Sequence, residues 1–101
     1  MSTFIFQTKE QINEDTDVLE DVLSPCELVV YNDDVNTFDW VIESLMEVCR
    51  HSPEQAEQCS LLIHFKGQAT VKHGTELELI PMKDELLNRG IDAAVESHEY
   101  K

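Results

Sequence analysis

A run of hydrogen-bond acceptors, Asn32-Asp33-Asp34, follows an apolar stretch of the chain, and His64 lies near the end of a later helical pattern. Asn32 offers an amide carbonyl, the two aspartates offer carboxylates, and a neutral imidazole offers one ring nitrogen. Hydrogen bonds between charged partners are the strong ones, so this set suits a cationic N–H donor. These residues therefore predict binding of an α-ammonium group, which has three N–H donors and one charge.

Apolar residues stand beside these acceptors. Phe38, Val41 and Ile63 can form the wall of a pocket for an apolar side chain next to the bound amine. Capture of an N-terminal amine beside a side-chain pocket is a known mode of peptide recognition. The pattern predicts a binding site that needs no cofactor, no metal and no catalytic residue.

Other interpretations of the same residues are weaker. Taken alone, the Asn-Asp-Asp run is typical of a turn, and a lone histidine near a helix C-terminus is typically packed or at the surface. Asp33, Asp34 and His64 would also suit a carboxylate and imidazole metal site, which stays open as an alternative function. A hydrolase is disfavoured, because Ser60 lies one helical turn before His64 without an oxyanion motif.

The charge of the chain restricts its partners. The 101 residues include 21 acidic and 7 basic side chains, which gives a net charge of −14. Nucleic acids are bound through Lys and Arg, and an anionic membrane surface would repel this chain. The charge therefore argues against nucleic acid and membrane, and it favours cationic partners. The length predicts one small domain, which we expect to be a monomer.

The cysteines and the N-terminus predict a cytoplasmic protein. Cys26, Cys49 and Cys59 contain no C-x-x-C pair, and an odd count without a secretory signal favours free thiols in a reducing compartment. The first residues lack a basic segment followed by a long apolar run. The apolar stretches are too short to span a bilayer.

Composition divides the chain into three parts. Residues 1–25 contain six acids and one lysine and predict a flexible acidic N-terminal arm. Residues 26–97 predict the ordered domain, and residues 98–101 predict a polar tail.

The ordered part predicts elements in the order β-α-α-β-α-β. Strands are predicted over residues 28–31, 68–72 and 91–95. Three helices lie between them, and each is opened by a capping side chain: Thr37, Ser52 and Thr75. Strands that alternate with helices around a small sheet predict an α+β or α/β sandwich.

Three residues carry local predictions of their own. Gly74 is predicted to turn the chain after the second strand. Pro81 lies beyond the first turn of the third helix, so that helix is either kinked there or begins there, with residues 75–80 extended. Trp40 lies off the apolar stripe of its helix, where it would contact a partner or cover the sheet edge.

The motifs together resemble those of a known family. The Asn-Asp-Asp run after a strand, the helix start T-F-D-W-V-I and the pattern E-x-A-x-x-C-x-x-x-I-H-x-x-G are similar to the ClpS family. Its members are adaptors that deliver N-degron substrates to the Clp protease. The likeness covers roughly residues 27–95. It implies an α+β fold with a three-stranded antiparallel sheet packed on three helices.

The resemblance also implies residue roles. Asn32, Asp33 and His64, with Asp34 beside them, would hold the α-amino group of a substrate. The pocket for Leu, Phe, Tyr or Trp at the first position would be lined by Asn36, Phe38, Val41, Ser60, Ile63 and Ile91. Ile91 would close the pocket floor. Phe38 and Ser60 both stand where methionine is common in the family, so the preference of this pocket is open.

The implied partner is a Clp-family AAA+ unfoldase, which the acidic arm would engage. Glu76, Glu78 and Lys83 in the third helix region are predicted contacts with it. A further alternative keeps the fold but makes the protein a regulator that acts on the unfoldase through the arm.

Overall fold

The computed structural model describes residues 23–97, so the tail and the predicted arm up to residue 22 lie outside the described residues. The elements are β1 (Pro25–Tyr31), α1 (Phe38–Cys49), α2 (Pro53–Lys66), β2 (Gln68–Thr75), α3 (Glu76–Asn88) and β3 (Ala93–Ser97). The strands form one antiparallel sheet in the order β2-β1-β3. This confirms the predicted α+β fold and its element order.

β1 is the central strand and the centre of the core. Leu28, Val29 and Val30 are almost fully buried, since β2 and β3 flank the strand on both sides. The strand begins at Pro25, inside the predicted arm, and Pro25 pairs with Thr75 of β2. Proline is tolerated as the first residue of a strand, where its missing N–H removes no essential ladder bond.

The helices bury their apolar faces against this sheet. The buried helical side chains of the core are Leu45, Cys49, Ala56, Ile63, Leu79 and Leu86. Full burial of a large apolar side chain contributes about 1.5–3 kcal/mol relative to exposure. Within the described part of the chain, no helix has the length and apolar character needed to cross a membrane.

The three predicted caps open the three helices. The Thr37 hydroxyl accepts the amide N–H of Trp40 at 3.0 Å, and the Ser52 hydroxyl accepts that of Gln55 at 3.1 Å. Thr75 forms a full capping box with Glu78, because the Glu78 amide donates to the threonine hydroxyl while the Glu78 carboxylate accepts the Thr75 amide. Such caps satisfy N–H groups that have no partner inside the helix.

α3 runs from Glu76 through Pro81, so the alternative in which the helix begins at Pro81 is wrong, although Thr75 itself is extended at the end of β2. A proline at this position removes the bond that its N–H would make to the carbonyl of Leu77. Both residues are exposed, and water can therefore satisfy that carbonyl. The capping box and the buried Leu79 and Leu86 keep the segment helical.

Gly74 does not turn the chain, contrary to the prediction. It lies within β2 and pairs with Cys26 of β1. A Cβ at this position would lie 2.7 Å from Oε1 of Glu78. The absence of a side chain therefore lets the capping carboxylate reach the start of α3.

The last strand begins at Ala93, later than the predicted start at residue 91. Gly90 has a φ of 85°, and the amide of Ile91 donates to the carbonyl of Leu86 at 2.9 Å. The backbone of Gly90 and Ile91 is occupied at the end of α3, so the pairing of β3 with β1 begins only at Ala93. A left-handed glycine is a common device at a helix end.

Candidate functional site

The end of β1 is fixed by bonds on both sides. The Tyr31 amide donates to the carbonyl of Asp92 at 2.9 Å, and the Asn32 amide donates to the carbonyl of Gly67 at 2.9 Å. Gly67 is the left-handed cap at the end of α2, with a φ of 89°. The second bond therefore brings Asn32 next to the last turn of α2, which carries His64.

The loop after β1 is organised by the Asp33 carboxylate. Its Oδ1 accepts the amides of Val35 and Asn36, each at 2.8 Å, and its Oδ2 accepts the side-chain amide of Asn36 at 2.8 Å. The same Asn36 nitrogen donates to the carbonyl of Gly90 at 2.8 Å, which ties the loop to the end of α3. The loop is therefore held in place before any ligand binds.

These bonds also fix the charge of the loop. The bond from the Asn36 amide, helped by those from Val35 and the Asn36 side chain, lowers the pKa of Asp33 below its ordinary value against the opposing effect of burial. A carboxylate has about four acceptor positions, and the loop uses three of them. Asp33 therefore keeps a negative charge and one further acceptor position.

α2 and α1 supply the facing walls. Ser60, Ile63 and His64 follow the spacing i, i+3 and i+4, which places them on one face of α2. Ser60 and Ile63 are buried, and His64 is exposed. On the other side, the first turn of α1 contributes Phe38 and Val41.

These groups surround a single cleft of about 450 Å³. Its lining residues are Asn32, Asp33, Asp34, Asn36, Thr37, Phe38, Val41, Ser60, Ile63 and His64. None of them is Lys or Arg, so the only full charges at the cleft are negative when His64 is neutral. The lining is polar beside the loop and mainly apolar between the two helices, where Ser60 is the exception.

The structure thus brings together nearly every residue that the sequence singled out for the site. Thr37 was missed as a lining residue, because its capping role already accounted for it. Ile91 was predicted to close the pocket floor, and this stays a prediction. It is 1% exposed, belongs to the main core and does not line the cleft.

Metal ligands and thiols were the other groups of interest in the sequence. Within residues 23–97, no group of three His, Cys, Asp or Glu side chains is arranged to hold a metal ion, and this includes Asp33, Asp34 and His64. Burial raises the pKa of the Cys49 thiol to about 11, against a smaller opposing effect of Lys72. Burial also raises the pKa of Cys59, so both thiols stay protonated near neutrality.

The residues predicted to contact an unfoldase are distributed along α3. Glu76 lies in its first turn, and Lys83 forms an ion pair with its neighbour Asp84 at 3.2 Å. The Glu78 carboxylate is bound in the capping box, so it has a structural role regardless of any partner. Leu77 and Leu87 are among the exposed apolar side chains of the same helix.

A family model and several known sequences match parts of this chain. The family model for the ATP-dependent Clp protease adaptor protein ClpS matches residues 23–93. The ATP-dependent Clp protease adapter protein ClpS of Campylobacter jejuni is 45% identical over 40 residues, which is 40% of this chain and 42% of that protein. The protein of the same name from Nitratidesulfovibrio vulgaris is 38% identical over 40 residues, or 40% of each chain. The matched segment therefore spans about two fifths of these relatives.

A solved structure shares the fold. Agrobacterium tumefaciens ClpS2, bound to L-phenylalaninamide, superposes with a TM-score of 0.64 and 20% sequence identity. The match covers 74% of this chain and 98% of that one. It extends the agreement from the matched sequence segment to the arrangement of helices and sheet.

Proposed function

Because this chain belongs to the ClpS family of adaptors of the Clp protease, we propose that its cleft binds the free N-terminus of a substrate protein. The first residue of that substrate is Leu, Phe, Tyr or Trp, and the adaptor delivers it to a Clp-family AAA+ unfoldase. The family is non-catalytic, so the mechanism is tethering and handover. The observation that carries the proposal is one cleft with acceptors at one end and apolar walls at the other.

The polar end suits the α-ammonium group. Asp33 supplies a fixed negative charge with an acceptor position to spare. The Asn32 side-chain carbonyl and a neutral His64 ring nitrogen provide further acceptors, and Asp34 adds a second carboxylate at the rim. A preorganised loop loses little freedom on binding, which favours affinity.

The apolar end suits the first side chain. Phe38, Val41 and Ile63 line it, and Phe38 is 38% exposed at the start of α1. The ligand of the Agrobacterium structure, L-phenylalaninamide, combines a free amine with a phenyl side chain. A ligand of this kind matches both ends of the cleft described above.

Fluorescence anisotropy tests the binding step. A labelled peptide that begins with Phe is expected to bind, and the same peptide with an acetylated N-terminus is expected to lose at least tenfold in affinity. Acetylation removes the charge and two donors while the side chain stays the same. Equal affinity for the two peptides would show that the ammonium group is not recognised.

Delivery is a second step and needs its own test. Removal of residues 1–22 leaves β1 intact, whereas removal up to Pro25 would break its pairing with Thr75. The truncated protein is expected to bind peptide normally but to stop degradation of a reporter with an N-terminal Phe by the unfoldase and its protease. Degradation that continues without the arm would refute its role in delivery.

The regulator alternative predicts a different pattern in the same assay. If the protein acts only by inhibiting the unfoldase through its arm, His64→Ala would leave its effect unchanged. For an adaptor, His64→Ala lowers degradation of the reporter at limiting substrate concentration. We propose a monomer in the reducing cytoplasm, in agreement with three free cysteines, and light scattering of the purified protein checks the monomer.

A further inference from the structure

One buried polar atom of a cleft-lining residue has no hydrogen-bond partner in the fold. Ser60 is 2% exposed and lines the cleft on its α2 wall. No group in residues 23–97 forms a hydrogen bond with its Oγ. Burial of an unpaired hydroxyl is unfavourable, and folded proteins generally avoid it. A hydroxyl left unpaired at the wall of a binding cleft indicates a ligand that pairs with it.

The position of Ser60 defines which part of a ligand would reach it. Ser60 precedes His64 by one turn of α2, a rise of about 6 Å along the helix axis. His64 is exposed at the rim, whereas Ser60 and the neighbouring Ile63 are buried. A bound N-terminus with its amine at the rim therefore presents the far end of its first side chain, not its backbone, to Ser60.

The chemistry at that far end distinguishes the four candidate first residues. Leucine and phenylalanine carry no polar atom there, so they would fill the cleft and leave the Ser60 hydroxyl unpaired. A tyrosine hydroxyl both donates and accepts, as the serine hydroxyl does, and an indole N–H only donates. A cleft of about 450 Å³ lies in the range of small-molecule pockets and has room for a large ring.

We propose that Ser60 makes this cleft selective for a first side chain with a hydrogen-bonding group at its far end, with tyrosine as the preferred residue. The proposal rests on the proposed function and specifies its substrate class. Ser60 is a specificity-determining residue here because it touches the side chain that varies among substrates. Phe38, Val41 and Ile63 accept all four residues through apolar contact and do not distinguish tyrosine from phenylalanine.

The test compares three peptides that differ only in the first residue: tyrosine, phenylalanine and 4-methylphenylalanine. The last has nearly the size of tyrosine but lacks the hydroxyl. We expect the tyrosine peptide to bind about three- to tenfold more tightly than either of the others, the usual range for one net hydrogen bond. In Ser60→Ala this preference over phenylalanine is expected to shrink to less than twofold.

A matched control uses the other buried serine among the described helices. Ser44 is fully buried on α1, accepts a bond from Arg89 at 3.5 Å and does not line the cleft. Ser44→Ala is expected to keep the preference for tyrosine. Both variants replace serine by alanine, a better helix former, and circular dichroism confirms that each is folded.

The outcomes separate this inference from the proposed function. Equal binding of all three peptides, with no effect of Ser60→Ala, would overturn selection by Ser60 while the N-terminal binding site stands. A preference for tyrosine that survives in Ser60→Ala would also overturn selection by Ser60, because another group would then bind the tyrosine hydroxyl. Failure of every free N-terminus to bind would refute the proposed function itself.

Discussion

The starts of α1 and α3 differ in how the unpaired backbone N–H groups of the first turn are satisfied. Each helix begins with backbone N–H groups that lack partners inside the helix. At α3, Thr75 and Glu78 satisfy each other reciprocally, and Gly74 leaves room for the carboxylate. At α1, Thr37 caps without a box, and the preceding loop carries Asn32, Asp33 and Asp34 beside an open cleft.

The difference teaches how to distinguish a structural cap from a binding site. Both segments contain acidic and hydroxyl side chains before a helix, so their compositions look alike. At α3 a second cavity of about 380 Å³ adjoins Gly74 and Thr75, but the acceptors of the capping box are matched by nearby donors. At α1 the acceptors outnumber the donors and a cavity adjoins them. A surplus of acceptors next to a cavity, and not acidity alone, marks the candidate site.

Asp33→Ala tests the binding role of the loop before α1, and its expected loss of peptide affinity is the largest effect. The variant loses a charged acceptor together with the three bonds that hold the loop, so affinity for a peptide with an N-terminal Phe should fall about 10- to 100-fold, in line with hydrogen bonds to charged groups. Fluorescence anisotropy measures this change. Asp39→Ala is the matched control, because Asp39 is an exposed acid in the first turn of α1 outside the cleft. An equal loss of affinity in Asp39→Ala would mean that the overall negative charge, and not the position of Asp33, determines binding.

Thr75→Ala tests the structural role of the cap before α3, and it should lower stability without changing binding. Loss of a capping side chain lowers the free energy of unfolding by about 1 kcal/mol, and urea denaturation measures it. Peptide affinity should stay within about twofold. Gly74→Ala should cost a similar amount, since its Cβ would displace the Glu78 carboxylate. The double variant should cost less than the sum of the two, whereas full additivity would contradict a shared capping box.

His51 precedes Ser52, the cap of α2, and gives a smaller expected effect, which depends on pH. It is 5% exposed, its Nε2 bonds the carbonyl of Val71 at 2.7 Å, and its Nδ1 has no partner among the described residues. Burial lowers its pKa, with a smaller contribution of the same sign from Lys72, while the bond to Val71 acts in the opposite direction. The folded state thus resists protonation more than the unfolded chain does.

The sign of the pH effect follows from that lowered pKa. His51 contributes to stability above the unfolded pKa, and the contribution is lost as pH falls through that value toward the folded one. As the pH falls from about 7.5 to about 5.5, we expect the free energy of unfolding of the wild type to decrease more than that of His51→Gln. Glutamine can still donate to Val71 but does not titrate. Parallel stability curves for the two proteins, from urea denaturation, would contradict this prediction.

Local signals made much of the fold predictable from sequence. The caps Thr37, Ser52 and Thr75 depend on residues at most three positions apart, and all three were predicted correctly. The acceptors were predicted because they follow one strand, and Phe38, Val41 and Ile63 because they lie on helices beside them, whereas Asn36 and Ser60 were implied only by the resemblance to the ClpS family. These patterns identify which residues can act together, although the distances between them come only from the structure.

Features that depend on distant contacts were not predictable. Gly74 is required by the side chain of Glu78, so a glycine in a strand was mistaken for a turn. Ile91 was assigned to the start of the last strand, but its amide bonds the carbonyl of Leu86 at the end of α3, and the strand begins at Ala93. The unpaired hydroxyl of Ser60 is visible only when every neighbour is in place.

Trp40 is a further case, and its contact has an experimental use. From the sequence, its predicted role was either to contact a partner or to cover the sheet edge. In the structure, its indole N–H donates to the carbonyl of Arg89 at 3.1 Å, and the Arg89 guanidinium lies 5.5 Å from its ring. The two residues are 49 positions apart, so no local pattern reveals the pair.

Trp40 is the only tryptophan of the chain, and this contact makes it an intrinsic fluorophore at the joint between α1 and α3. Separation of the helices would expose the indole to water and shift its emission to longer wavelength. Trp40 does not line the cleft, so a peptide without tryptophan should leave the emission nearly unchanged. A single unlabelled sample can therefore show whether a variant that fails to bind has lost its site or has lost its fold.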